Sequence, residues 1–308
     1  MSTRKRGRIT IGCTAAACAV ATALAACSTP STGGTTSSPT GTVTVPTAQP
    51  NTSAVAAVPA AIRAKGTLTV GTSADYAPIG FVAADGRTII GSDADLATAI
   101  GQELGLKVRM VNATFDALIP GLAAHRYDLV MAGMNDRRER EKTVDFVDYF
   151  SAGTSFFERS TGGPAVRTLA DLCGHSVAVE SGTSEETDAN AQNTTCRKTG
   201  EAGLKVLVFQ DQNAANLALS SSRADVGMAD SPVAGYIVAQ GKGQFKLVGQ
   251  AYGTVPDGIA LPKGSPLVPA IQKAVNALIA DGTYTAILTK WGTKAGAVTS
   301  AQVNGATS

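Results

Sequence analysis

Histidine is nearly missing from this chain, with only His125 and His175 among 308 residues. That removes most acid–base and metal patterns: there is no His-Glu-x-x-His, no Gly-x-Ser-x-Gly elbow and no phosphate loop. Charge is also scarce, at 16% of residues, and nearly balanced at +2. Residues 1–26 carry Arg4, Lys5, Arg6 and Arg8 and no acid, so the remainder has 22 basic against 24 acidic residues, a net −2. A near-neutral body without a basic stripe argues against nucleic acid as a partner. After residue 26 no apolar run approaches the roughly 20 residues that a spanning helix needs. Between Ser28 and Pro59 there is no charged residue at all.

The chain starts with those four basic residues and an apolar, alanine-rich run from Ile9 to Ala26. A charged n-region followed by an h-region reads as a secretory signal, not as a span. The run ends Leu24-Ala25-Ala26-Cys27, which resembles the lipobox of bacterial lipoproteins, so Cys27 is the expected lipidation site. A diacyl group there anchors a protein to the membrane face without crossing it. Residues 27–59, rich in Ser, Thr, Gly, Pro and Ala, read as a disordered linker, since they lack the apolar surface to offset their ordering entropy. Of the five cysteines, Cys13 and Cys18 fall in the signal. Cys173 and Cys196 remain, and an oxidising compartment favours their pairing as a disulfide. A metal on this pair is the weaker alternative, because no histidine lies beside Cys196. No metal or other cofactor is expected.

The most informative stretch is Arg126–Phe150, RYDLVMAGMNDRREREKTVDFVDYF. An apolar strand, Asp128–Ala132, breaks at Gly133 and runs into charges that include Arg140, then into Val144-Asp145-Phe146. Ligands of α/β proteins sit at the carboxyl ends of strands, and a guanidinium fork matches a carboxylate in two parallel hydrogen bonds. The alternative is a solvated face of mixed charges. The pattern is similar to that of the family 3 bacterial extracellular solute-binding proteins, the amino-acid receptors of ABC importers. In that family an Arg precedes the Asp of a "VDF" triplet by five residues, as Arg140 precedes Asp145 here, and it holds the ligand α-carboxylate. Arg137-Arg138 stands where the family usually has Thr-Pro.

Five further segments carry the resemblance in family order. Thr72–Pro78 contains the "YxP" piece, whose Tyr76 either packs on the ligand or orders the loop. Ile79-Gly80 departs from the usual continuation. Phe115-Asp116-Ala117-Leu118-Ile119-Pro120-Gly121-Leu122 resembles "FDxLIPxL", with Phe115 as the second face of the slot or as a core residue. Leu169–Glu180 resembles "DLxGxxVxV", followed by Ser181-Gly182-Thr183-Ser184, whose helix-start N–H groups suit an anion. Arg223–Pro232 resembles the segment whose last Asp, here Asp230, receives the ligand α-ammonium; a simple helix cap is the alternative. Tyr284, Ile287, Lys290, Trp291 and Gly292 match the family's ending.

Between these motifs, Asp93–Leu104 is an amphipathic helix through Leu96, Ile100 and Leu104, with Ser92 or Asp93 as its cap. Strands alternate with helices, which indicates an α/β fold. The resemblance implies a two-lobed, type II periplasmic-binding-protein-like fold joined by two crossing strands. Lobe 1 is expected at 60–154 plus 252–308, and lobe 2 at 155–251. It also implies a ligand set of Arg140, Asp230, Tyr76, Phe115, Gly133, Asn135, Glu180, Thr183 and Ser184. The expected function is capture of a free amino acid by a lipid-anchored monomer, without catalysis, and delivery to an ABC permease. A ligand sensor for a membrane kinase and a prephenate-type dehydratase are the alternatives. Glu180 and Asp230 favour a polar or basic ligand such as arginine, lysine or glutamine. An inward Arg137 or Arg138 favours an acidic one, and Glu180 as a cap or a solvated group removes the argument.

Overall fold

The computed structural model describes residues 45–307. The expected signal peptide, Cys27 and most of the linker lie outside the described residues. The end of that linker is a correction: residues 45–59 are packed, not disordered. They form helix α1 (Thr52–Ala57), capped by the Asn51 side chain, and bury Ala48, Ala54 and Val58. Small apolar side chains dock there on the body, which composition counted over the whole linker concealed.

Helix α2 (Ala60–Lys65) leads into strand β1 (Thr67–Thr72), and the short strands β2 (Asp75–Tyr76), β3 (Gly80–Val82) and β4 (Ile89–Ile90) form a separate small sheet. Helix α3 (Ser92–Glu103) follows, burying Leu96 and Ile100, with Leu104 closing it. Then come β5 (Lys107–Asn112), α4 (Leu118–Ala123), β6 (Leu129–Val130), α5 (Arg138–Glu141) and the long β7 (Val144–Arg159). The expected strand at 128–132 is thus only two residues long, and Val144-Asp145-Phe146 opens a 16-residue one.

The second half contains β8 (Ser176–Glu180), α6 (Ser184–Lys198), β9 (Lys205–Phe209), α7 (Gln212–Ser220), β10 (Val226–Asp230) and α8 (Ser231–Gln240). The 18-residue β11 (Phe245–Pro262) returns, followed by α9 (Val268–Ala280), α10 (Thr283–Trp291) and β12 (Ala297–Val303). The main sheet runs β5-β1-β6-β11-β7-β10-β8-β9, with β12 added on β7.

Two lobes follow from how β7 and β11 change company. Their antiparallel register pairs Val144–Ala152 with Val255–Pro262, beside β6 and β1. It shifts twice between Val248 and Val255, then pairs Thr154–Arg159 with Phe245–Tyr252, beside β10. Such irregularities bend a strand pair. Gly153 lies at this bend, where an added Cβ would stand 2.7 Å from the Tyr252 carbonyl. One lobe is held by Leu68, Val70, Ile100, Ile259, Ile271 and Tyr284 on one sheet face and by Leu118, Leu122, Tyr127 and Phe146 on the other. The other lobe centres on Phe156, Leu172, Val177, Val226 and Met228. Cys173 and Cys196 are bonded, tying the polar α6 to the segment before β8.

Candidate functional site

Between the lobes lies a nearly closed cavity, with a free volume of ≈ 10 Å³, lined by Tyr76, Phe115, Gly133, Asn135, Glu180, Thr183, Ser184, Glu185 and Asp230. Eight of the nine expected site residues meet there. The ninth, Arg140, stands behind it, with its guanidinium 5.5 Å from the Phe115 ring centroid. Strand ends and helix starts supply this convergence. Asp230 ends β10, Glu180 ends β8, and Thr183-Ser184 opens α6.

Gly133 has φ +56, a conformation open to glycine at little cost. Its N–H donates to Asp93 Oδ2 at 3.0 Å, and Tyr149 donates to Oδ1 at 2.6 Å. This corrects the reading of Ser92 or Asp93 as the helix cap: α3 is capped by Gly91 without a side-chain bond. Buried Asp93 instead fixes the turn after β6, and burial raises its carboxyl to about 6.

Arg140 donates from Nη1 to the Asn135 carbonyl at 2.9 Å and from Nη2 to the Gly182 carbonyl at 3.0 Å. The first bond stays within its lobe and the second crosses the cleft. Two of its five N–H donors are thereby committed. Burial lowers its pKa, and Arg137 beside it adds to the effect. Arg138 is exposed, and Arg137 turns to Asp188 at 3.5 Å, so neither lines the cavity.

Asp230 precedes α8 but makes no side-chain cap bond, so the helix-cap alternative fails. Its backbone N–H donates to the Tyr76 hydroxyl at 2.9 Å. Its carboxyl is buried and raised well above the usual carboxylate range by burial, then by Glu185 and Asp257. Tyr76 is therefore both a loop-ordering group and a cavity wall. Phe115 combines roles in the same way, packing on the Leu118 core and facing the cavity.

Glu180 neither caps a turn nor meets solvent. It is 2% exposed, and its Oε1 has no hydrogen-bond partner. Burial, with Asp75 and Glu185 nearby, raises its carboxyl to about 9. Thr183 is occupied as the cap of α6: its hydroxyl accepts from Glu186 N at 3.2 Å and donates to the Glu180 carbonyl at 2.8 Å. Ser184 Oγ is buried without a partner.

Two acids were missed by sequence reading. Glu185 is buried and accepts from Thr154 at 2.7 Å; in the sequence it is one of several acids opening a polar helix. Asp257 accepts from Asn135 Nδ2 at 2.7 Å and is raised to about 7 by burial. Nothing local marks Asp257, because only the pairing of β11 with the Asn135 turn brings it in. The interior thus gathers Glu180, Glu185, Asp230 and Asp257 against one guanidinium. Among the described residues no group of three or more potential ligand side chains could hold a metal ion.

Two α/β lobes joined by paired crossing strands, with a polar cavity between strand ends and helix starts, define the type II periplasmic-binding-protein class. Residues 68–294 match the bacterial extracellular solute-binding proteins, family 3. The arginine-binding protein ArgT of Corynebacterium glutamicum is 31% identical over 250 residues, 81% of this chain and 82% of its own length. An ancestral arginine-binding protein bound to arginine superposes with a TM-score of 0.67 at 37% identity, over 73% of this chain and 98% of its own. AncCDT-1, an ancestral amino acid-binding protein described as a precursor of cyclohexadienyl dehydratase, gives 0.68 at 34% identity, over 75% and 97%. The chain belongs to the bacterial extracellular solute-binding proteins of family 3. All three relatives are named as binding proteins and none as an enzyme.

Proposed function

We propose that this protein captures a cationic amino acid, arginine foremost, between its lobes. The observation that carries the reading is Glu180: a buried carboxyl with an unpartnered oxygen in the same cavity as Asp230 and in front of Arg140. A zwitterion fits this arrangement. Its carboxylate would take the free donors of Arg140, Ser184 Oγ and the N–H groups opening α6, where the helix dipole favours an anion. Its ammonium would pair with Asp230. The side chain would run between Tyr76 and Phe115, whose ring faces attract cations, and would end at Glu180. An arginine-binding relative and an arginine-bound structural neighbour support the same class of ligand.

The same proposal has Cys27 lipidated at the outer face of the cell membrane and the loaded protein, a monomer, delivering its ligand to an ABC permease. The lipobox-like Leu24-Ala25-Ala26-Cys27 and the family support it. Mass spectrometry of envelope-purified protein should find a diacylated N-terminal Cys27 peptide.

Calorimetric titration with arginine, lysine, glutamine and glutamate tests the binding reading. Wild type should bind arginine and lysine best and glutamate least. Glu180→Gln should erase most of the preference for arginine over glutamine. Glutamate as the best ligand, or an unchanged ranking in Glu180→Gln, would overturn it.

A further inference from the structure

Glu180, Glu185 and Asp230 line the cavity between the lobes, and a second group of acids lies outside it. Asp136 is 0% exposed, and neither of its carboxyl oxygens has a donor partner. It lies within hydrogen-bond reach of Asp148 on β7 and Glu141 at the end of α5. Asp148 is 3% exposed and its Oδ1 is equally without a donor. The segment after β12 closes over the group. Gly305 N–H donates to Asp148 Oδ2 at 3.1 Å, and Ala306 N–H donates to Glu141 Oε1 at 3.2 Å. Other charged groups here are engaged elsewhere. Lys263 pairs with Asp145 at 2.8 Å and donates to the Glu141 carbonyl, and Arg140 turns to the cleft. Among the described residues no Lys or Arg forms an ion pair with Asp136, Asp148 or Glu141.

Two buried carboxylates in contact without a cation repel strongly, so such pairs hold one proton between them. We propose that Asp136 keeps this proton and donates it to Asp148 Oδ1, and that the pair positions the Asn135–Arg140 turn carrying the anchor for the ligand carboxylate. Backbone bonds supply the mechanical link. Asp136 N–H donates to the Pro256 carbonyl at 2.7 Å, and Gly258 N–H donates to the Met134 carbonyl at 2.9 Å. The neighbouring Asn135 carbonyl holds Arg140 Nη1, and its side chain holds Asp257. Removing the proton puts two charges, and Glu141 beside them, on either side of this turn. The repulsion pushes α5, and Arg140 with it, away from β7. Burial, with Asp148 next in effect, raises the Asp136 carboxyl to about 8, and burial raises Asp148 to about 6.

The link to ligand affinity rests on the reading proposed above, whereas the shared proton does not. The test therefore has two arms on the full mature protein. In the first, ligand-free melting is followed from pH 5 to 9. The fold holds a proton that the unfolded chain, with an ordinary Asp value near 3.8, has released. The contribution of this proton to stability therefore falls as pH rises toward 8 and levels above it. Asp136→Asn, which still donates to Asp148 but cannot ionise, should flatten this fall and melt above wild type at pH 8 to 9. A parallel slope in both proteins overturns the pair. So does a rise in wild-type melting temperature on adding calcium that Asp136→Asn lacks, since that assigns the cluster to a cation. In the second arm, the ratio of arginine dissociation constants, wild type over Asp136→Asn, should be near one at pH 6 and several-fold higher at pH 9. Titration of the cavity acids is common to both proteins and cancels in this ratio. A ratio flat with pH overturns the positioning role. If neither protein binds arginine at any pH, the ligand assignment fails, and melting alone decides the pair.

Discussion

At the residue scale the site is an electrostatic problem left half solved. Glu180, Glu185 and Asp230 line the cavity, Asp257 is bonded to Asn135 of its wall, and burial raises all four carboxyls above their ordinary values. Glu180, held up to about 9, carries a proton at pH 7 in the ligand-free protein. A guanidinium favours the carboxylate, so binding should expel that proton, and arginine affinity should rise as pH climbs toward 9. Calorimetry in buffers of different ionisation enthalpy measures the release. Glu180→Gln should release about one proton fewer than wild type, one titrating group having been removed; equal release would assign the linkage to the other acids. The two charge anchors are a separate matter. Arg140→Ala and Asp230→Ala should each cost roughly 2–5 kcal/mol of binding, because a buried partner charge is left unpaired. Circular dichroism should show both variants folded. Near-wild-type affinity in either would remove that residue from the ligand set.

At the scale of elements the second lobe depends on a polar helix. The residues of α6 that are buried are few, Ser184, Glu185, Ala189 and Cys196, so packing alone holds it weakly. The Cys173–Cys196 bond closes a loop with a sequence separation of 23 residues. Loss of a loop of that size should cost about 3 kcal/mol. Reduction, or Cys173→Ser with Cys196→Ser, should lower the melting temperature by several degrees. It should also loosen the Thr183–Glu185 end of the site, since α6 carries both. A melting curve indifferent to reductant would show that α6 is held by other contacts. The bend in the crossing strands is the second element with a defined tolerance. Gly153→Ala would place a Cβ against the Tyr252 carbonyl and Thr254, and should destabilise the protein by about 1–3 kcal/mol, as overpacking does. Chemical denaturation measures that loss.

At the scale of the molecule the lobes touch across the cleft at several points. Arg140 reaches the Gly182 carbonyl, Ser181 Oγ donates to Asp116 at 3.2 Å, Gln212 N–H donates to Asp75 at 3.1 Å, and Asp230 N–H donates to Tyr76. Arg137 with Asp188, which also accepts from Tyr252, adds a part-buried pair. Closure thus has contacts of its own, and a ligand adds to them by bridging Arg140 and Asp230. Arg137→Ala should weaken arginine binding only about two- to fivefold, since a single contact of 3.5 Å is a weak ion pair, worth roughly 1 kcal/mol or less. In small-angle scattering the ligand-free variant should be more extended than wild type, and arginine should restore compactness. Abolished binding would instead place Arg137 among the ligand contacts.

The primary structure determined the fold class and most of the site because those signals are local. Leu96, Ile100 and Leu104 repeat with the helix period, and Arg140 stands five residues before Asp145. Asp230 sits before Pro232 at a helix start. Each is readable without knowing what lies opposite. Eight expected ligand residues then met in one cavity because strand ends and helix starts are where an α/β fold gathers polar groups. Tertiary structure decided what depends on facing partners. Only the register of β11 on the Asn135 turn brings Asp257 in, and only full burial separates Glu185 from its part-buried neighbours Glu186 and Asp188. Asp93 looked like a cap until Tyr149 and the Gly133 N–H were seen to hold it. The packed residues 45–59 belong with these. Composition averaged them into a linker, whereas Ala54 and Val58 find their apolar surface only once the first lobe has formed.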